Sequence, residues 1–303
     1  MPIREFFHLI HVVDDIGAAN ERFGALFGTE RFSENWSDLD HRWASFTMLG
    51  DMMLELIQPR HTEEDEQFPL TKFHTRFGQH LHSLSWYVDL EDMPQLFKAF
   101  RTEGVRVAKP GGGLFPEGTE DPGMTMFTHA KDTAGQLEFV GVQGGPLDMD
   151  PRGKKGWAMP APQSSPLTLV GVSHFTTSTR DLRGLKSLYE RVLGAEPLHD
   201  ESDRAFLRVG TESVVELAAP TSPTSLLGCD VATHGELPHA VTFRVVDLDV
   251  AERHATTIGI RTLDRGQGAL VLNPDDLHGA VVAFIEHKTP SDGLQPNFSA
   301  IDA

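Results

Sequence analysis

One recurring pattern restricts the fold of this chain more than any other feature. A histidine near the start of an apolar, strand-like run is followed seven positions later by an aspartate suited to opening a helix: His8 and Asp15, His82 and Asp89, His174 and Asp181. A fourth run, residues 241–247, ends in Asp247 but has Ala240 where the histidine is expected. An aspartate before a helix accepts hydrogen bonds from the first free backbone N–H groups, so each copy reads as strand, cap, helix. Self-similar units at a regular spacing indicate a fold built by repetition.

The intervening sequence completes each unit. After a strand expected over 6–13, Asp15 opens a helix with Ala19, Phe23 and Phe27 at helical spacing and Gly28 as its stop. Strand-like runs follow at 30–36, 42–49 and 52–58, giving the order β-α-β-β-β. The second unit places a strand at 82–88 and a helix at 90–102, with Met93, Leu96, Phe97 and Phe100 on one face and Gly104 at its end. A Gly/Pro-rich stretch at 110–123 reads as a loop suited to covering a site, with strands at 124–129 and 136–142 after it. The third unit repeats the first: the run from Arg42 to Leu56 matches that from Arg204 to Leu217, and both lead to a proline, Pro59 and Pro220. The fourth repeats the second, Val88-Asp89-Leu90 matching Val246-Asp247-Leu248. Residues 143–167 hold five prolines and four glycines and read as a linker. The expected layout is a first domain over 1–142, the linker, a second domain over 168–288 and a polar, frayed tail over 289–303. Residues 60–79 read as a charged, exposed connection, with His61 and His74 in it and His80 at its end solvated.

Composition narrows the function classes. A formal charge of −18 leaves no basic patch to neutralise phosphates, which argues against nucleic acid and anionic membranes as partners. Cys229 is the single cysteine, so neither an intrachain disulfide nor a cysteine zinc site can form. That, with no apolar run near the roughly 20 residues of a membrane span and no secretion signal, leads to an expected cytoplasmic location. Gly111-Gly112-Gly113 lacks the lysine and helix context of a phosphate loop, so no nucleotide cofactor is expected.

The chemistry sits in a second recurrence. Each of the first three units offers a histidine early and a glutamate late: His8 with Glu55, His82 with Glu138, His174 with Glu216. Strand side chains alternate between faces. Leu54 and Leu56 flank Glu55, while Leu9 and Val13 oppose His8, so His8 and Glu55 project from the face that does not pack on the helix. Imidazole and carboxylate together suit a divalent first-row metal. In the fourth unit, parity puts Ala240 and Ala283 at the ligand positions, with His239 one residue off and Glu286 on the wrong face unless a bulge intervenes. His11 faces the helix and reads as structural. Trp86 shares the parity of His82 and is a candidate wall of an apolar pocket; His129 is a candidate substrate contact.

With these motifs the sequence resembles the vicinal oxygen chelate superfamily, which includes glyoxalase I, methylmalonyl-CoA epimerase, extradiol dioxygenases and antibiotic-resistance proteins. The resemblance covers residues 6–142 and 168–287. It implies an α+β fold of four βαβββ modules paired into two half-open, eight-stranded barrel-like domains, each pair curling round one metal. It also implies that His8, Glu55, His82 and Glu138 are ligands to one divalent ion (Ni, Co, Zn, Mn or Fe(II)), with Glu138 as catalytic base. If modules pair as 2+3 and 1+4 instead, the set is His82, Glu138, His174 and Glu216; the direct join of modules 1 and 2 favours the first set. The expected activity is a metal-dependent lyase or isomerase acting on a small oxygenated substrate, in a monomer or homodimer. The alternatives are an Fe(II) extradiol dioxygenase and a protein that sequesters a small ligand.

Overall fold

The computed structural model describes residues 3–266 and 268–286, with Phe298 and Ile301. The first half contains β1 (Ile3–Val12), α1 (Ile16–Phe27), β2 (Arg31–Ser37), β3 (Arg42–Leu49), β4 (Met52–Pro59), α2 (Pro69–Phe77), β5 (His80–Asp89), α3 (Met93–Thr102), β6 (Val107–Ala108), β7 (Thr125–Thr128), α4 (Ala130–Thr133) and β8 (Gln136–Val142). The second half contains β9 (Leu169–Ser178), α5 (Leu182–Leu188), β10 (Glu196–Asp200), β11 (Arg204–Val209), β12 (Ser213–Ala218), α6 (Leu226–His234), β13 (Pro238–Val245), α7 (Leu248–Thr257), β14 (Thr262–Gly266), β15 (Ala269–Leu272) and β16 (Val281–Glu286).

The strands form two eight-stranded mixed sheets that do not close, in the orders β2-β3-β4-β1-β5-β8-β7-β6 and β10-β11-β12-β9-β13-β16-β15-β14. Within each module the first and last strands run parallel; the two modules of a sheet join through antiparallel pairs, β1 with β5 and β9 with β13. Modules 1 and 2 therefore share one sheet and modules 3 and 4 the other. The α+β, paired-module expectation holds, and the 2+3 pairing does not form.

Local chemistry sets most helix starts. Asp15 accepts from Ala18 N, Asp181 from Gly184 N, and Asp247 from Asp249 N and Val250 N. Asp89 departs from the pattern: it caps nothing with its side chain and accepts from Arg4 Nη1 at 3.1 Å. There the chain makes a short 3₁₀ turn before α3, which opens with Pro94 in its first turn.

Helices α1, α3, α5 and α7 pack between the sheets, so one continuous apolar core serves both domains. Phe27 of α1 lies 4.8 Å from Phe243 of β13, and Phe6 stacks on Phe175 at 4.1 Å. The approach is close enough that a Cβ on Gly210 (φ 68°) would fall on the Arg4 carbonyl oxygen.

One stretch differs from expectation. Residues 60–79 are not simply an exposed connection, because they contain α2. Leu70, Phe73 and Phe77 recur at helical spacing there, and Phe73 is buried. The stretch expected to be the linker is anchored to the first domain. Arg152 pairs with buried Asp150 (2.6 Å) and donates to the carbonyls of Phe6 and Phe7, each at 2.8 Å. Those carbonyls lie where β1 slips register against β5, immediately before His8. The tail lies outside the described residues except for Phe298 and Ile301; Phe298 is buried against the second domain.

Candidate active site

In the first sheet, β1 and β4 run side by side, with Ile10 opposite Glu55, and β5 and β8 bring Ser85 opposite Glu138. These registers turn His8, Glu55 and Glu138 towards one point. His8 Nε2 donates to Glu138 Oε2 at 2.8 Å and lies 3.3 Å from Glu55 Oε2. All three side chains are buried. His82 lines the same cavity with Glu55 and Glu138, and its Nδ1 lies 3.0 Å from Ser83 Oγ. The Phe73 ring meets it edge-on at 4.5 Å.

His82 reaches this face through a β-bulge. Leu81 stands opposite His11 and Ser83 opposite Ile10, so His82 is the extra residue. A bulge reverses strand parity, which corrects the placement of Trp86. That residue does not line the cavity. It is fully buried in the shared core, where its Nε1 donates to Ser213 Oγ of the second domain at 2.9 Å. His129 does line the cavity, next to α4, which it caps.

Arg42 was not among the candidate site residues. Its Nη1 donates to Glu55 Oε1 at 2.8 Å and its Nε to Asp40 Oδ2 at 2.8 Å. Burial works against its charge, but Glu55 and Asp40 hold it firmly cationic. A signal was present in the repeat, because Arg204 occupies the matching place and lies 3.6 Å from Glu216.

The electrostatics follow from burial and partners. Burial holds the His82 imidazole down to about 4, so it is neutral at pH 7 and its ring is free to act as a ligand. Burial alone would raise Glu138, yet His8 and Arg42 outweigh it and keep the carboxyl below its ordinary range. His11, paired through Nε2 with the His278 carbonyl at 2.8 Å, is neutral for the same reason as His82 and belongs to the core.

The donor set fits a divalent metal. Two carboxylates converge on one imidazole nitrogen, which carries at most one proton, and a neutral histidine faces the same space. A cation among them would satisfy all four groups. Above them lies a cavity of about 510 Å³. Its wall is apolar where Leu70, Phe73, Phe77 and Phe127 line it, and Lys72, Arg76 and Lys109 stand on its exposed side.

The second sheet repeats the frame with apolar side chains packed inside it. His174 Nε2 lies 3.6 Å from Glu216 Oε2, and Thr176 donates to that oxygen at 2.6 Å. His174 and Glu216 thus meet each other but belong to a different sheet from His82 and Glu138. Ala283 stands opposite Thr242, as Glu138 stands opposite Ser85. The register corrects the reading of Ala240. Pro238 faces Thr177 and Ala240 faces Thr176, leaving His239 as the bulged residue in the place of His82. The fourth module has therefore kept its histidine and lost its glutamate. Leu226, Leu227 and Val231 of α6 pack with Ala240, Ala283 and Phe298 and fill the interior.

Comparison with known proteins agrees with this architecture. Residues 7–120 match the family model of the Glyoxalase/Bleomycin resistance protein/Dioxygenase superfamily. No curated protein sequence matches the chain. Among solved structures, a triple mutant of 4-hydroxymandelate synthase from Streptomyces coelicolor superposes with a TM-score of 0.67 at 14% identity, covering 99% of this chain and 96% of that one. The Mn(II)-bound glyoxalase from Novosphingobium aromaticivorans gives 0.58 at 14% identity, covering 99% of this chain and 90% of that one. Identities this low establish the fold alone.

Proposed function

We propose that this chain, a vicinal oxygen chelate superfamily protein, is a divalent-metal-dependent lyase or isomerase of glyoxalase or epimerase type, with its active site in the first domain. The observation that carries this reading is the buried convergence of Glu55 and Glu138 on His8, beside neutral His82 and under a cavity sized for a small organic molecule.

His8, His82, Glu55 and Glu138 would hold the metal, which when bound polarises substrate oxygens and acidifies the adjacent C–H. The chain's own residues divide the remaining work. Glu55 is clasped by Arg42, which fixes its orientation and its charge. Glu138 carries no such guanidinium clasp and is ionised, so it is the carboxylate suited to take and return a proton. The apolar wall excludes water from the substrate body. Lys72, Arg76 and Lys109 favour an anionic substrate, and they do so locally against an overall charge of −18. His129 is placed to contact that substrate at the cavity wall.

The test is solvent exchange. Metal-stripped protein reloaded with Ni, Co, Zn or Mn should incorporate deuterium from D₂O into a small 2-oxygenated acid, and Glu138→Gln should lose that exchange. Stoichiometric Fe(II) with oxygen consumption on catechols would sink this reading and support a ring-cleaving dioxygenase. One observation favours that second reading: Arg42 commits one oxygen of Glu55, leaving two histidines and one carboxylate as the freer ligands.

A further inference from the structure

A second cluster of metal-type ligands lies at the junction of the two domains. His80 begins β5 of the first domain, and Asp230 and His234 lie one helical turn apart on α6 of the second. One ligand atom from each lies within 4.8 Å of the others; among the described residues this trio alone meets that criterion. His80 was expected to be solvated, and instead it is buried.

Three features set this cluster apart from an ordinary surface ion pair. Asp230 Oδ1 faces both His80 Nε2 (2.9 Å) and His234 Nδ1 (2.6 Å), so two imidazole nitrogens and one carboxylate oxygen share a vertex. His80 Nδ1 donates to the Leu81 carbonyl at 2.7 Å. This keeps a proton on Nδ1 and turns Nε2 towards the vertex, where it donates to Asp230 and would exchange that proton for a cation, the orientation that outer partners impose on metal-binding histidines. Finally, His239 Nδ1 holds the other carboxylate oxygen, Oδ2, at 2.5 Å, anchoring Asp230 from behind. The His234 side chain retains 22% exposure, which leaves a path for an ion and for a water at the remaining position.

We infer that His80, Asp230 and His234 form a second metal site, one that takes a borderline divalent cation of the zinc class and ties the two domains together, with His239 as the partner that orients Asp230. Two imidazoles and a carboxylate match zinc, whose bonds to such ligands are about 2.0–2.2 Å; the trio opens slightly to admit it. The site shares no ligand with His8, Glu55, His82 and Glu138, so it stands whether or not the active-site reading does. It also explains why the fourth module keeps a histidine after losing its glutamate: His239 serves this cluster rather than the interior of its own sheet.

Chelator-stripped full-length protein is titrated with Zn²⁺, desalted and assayed for bound metal, with thermal unfolding read in parallel. The expected result is two equivalents in the unmodified chain, one in His234→Ala, one in His8→Ala and none in the double variant. Zinc should raise the unfolding midpoint of His8→Ala by several degrees, and that rise should vanish in the double variant. Should His8→Ala fail to fold by circular dichroism, Glu138→Gln replaces it. The inference is overturned if His234→Ala binds as much zinc as the unmodified chain, or if His8→Ala alone abolishes all binding. A single equivalent that survives His8→Ala and is lost in His234→Ala upholds this site and counts instead against the metal in the first domain.

Discussion

The two sheets have the same strand order, the same bulged histidine and the same buried pair of histidine and glutamate, yet their interiors differ. In the first domain α2 stands back from the sheet and leaves a cavity over His82, Glu55 and Glu138. In the second, the corresponding helix α6 drives Leu226, Leu227 and Val231 against Ala240 and Ala283. The physical cause is one lost carboxylate. A buried charge needs partners or metal; with alanine in place of Glu138, apolar packing costs nothing in desolvation. The remaining glutamate shows the consequence. Glu216 is pushed up to about 7 by burial, which Thr176 and Arg204 only partly offset, whereas Glu138 is held below its ordinary range.

The largest effect should come from exchanging the two carboxylates' fates. Glu138→Gln is expected to lower turnover on the order of 10²–10⁴-fold, the usual contribution of a general base, while Glu216→Gln leaves turnover unchanged. Steady-state kinetics on both variants would break the comparison if Glu216→Gln were the damaging one.

Next in size is the plug. Leu227 is fully buried, and Leu227→Ala should cost about 2–5 kcal/mol of unfolding free energy in urea, with catalysis intact. Phe73→Ala in the first domain should instead weaken substrate binding, because that ring lines the cavity.

A pH profile comes third. Glu216 keeps its proton in the folded chain to about 7 but releases it near 4.5 when unfolded. The folded state thus binds more protons across that window, and stability falls as pH rises through it. Relative to the unmodified chain, Glu216→Gln should gain up to about 3 kcal/mol above pH 7 and little at pH 4. Chemical denaturation at both pH values reads this out; an equal difference at the two would refute it.

The smallest effect concerns the clasp. Arg42→Lys keeps a positive charge but loses the forked contact to Asp40 and Glu55. Metal affinity should fall roughly 10–100-fold, as for other groups that orient ligands, and the matching Arg204→Lys should leave bound metal at the first site unaltered.

Much of this molecule was legible in the sequence because its information is local. Asp15 with Gly28, and Asp181 and Asp247 at later helix starts, act through neighbouring backbone N–H groups or a left-handed turn, so their residue types announce them. Burial also shows as periodicity: Met93, Leu96, Phe97 and Phe100 face the core as their spacing requires. The pairing of His8 with Glu55 could be anticipated because alternation along flanking strands needs no knowledge of partners.

What escaped was non-local. The bulges at His82 and His239 exist only as a mismatch between two strands, and a shift of one residue moves Trp86 into the core and His239 into the place assigned to Ala240. Arg42 meets Glu55 only across the β3–β4 ladder, and His80 meets Asp230 only across the domain boundary.

By itself, the sequence determined the repeated βαβββ unit, the helix caps and the residue types available to hold a metal, because those depend on short-range geometry. Only the tertiary structure decided which modules share a sheet. That choice rests on backbone hydrogen bonds between β1 and β5, which carry no residue code, and it alone makes His8 and Glu138 neighbours while leaving His174 and Glu216 under a plug.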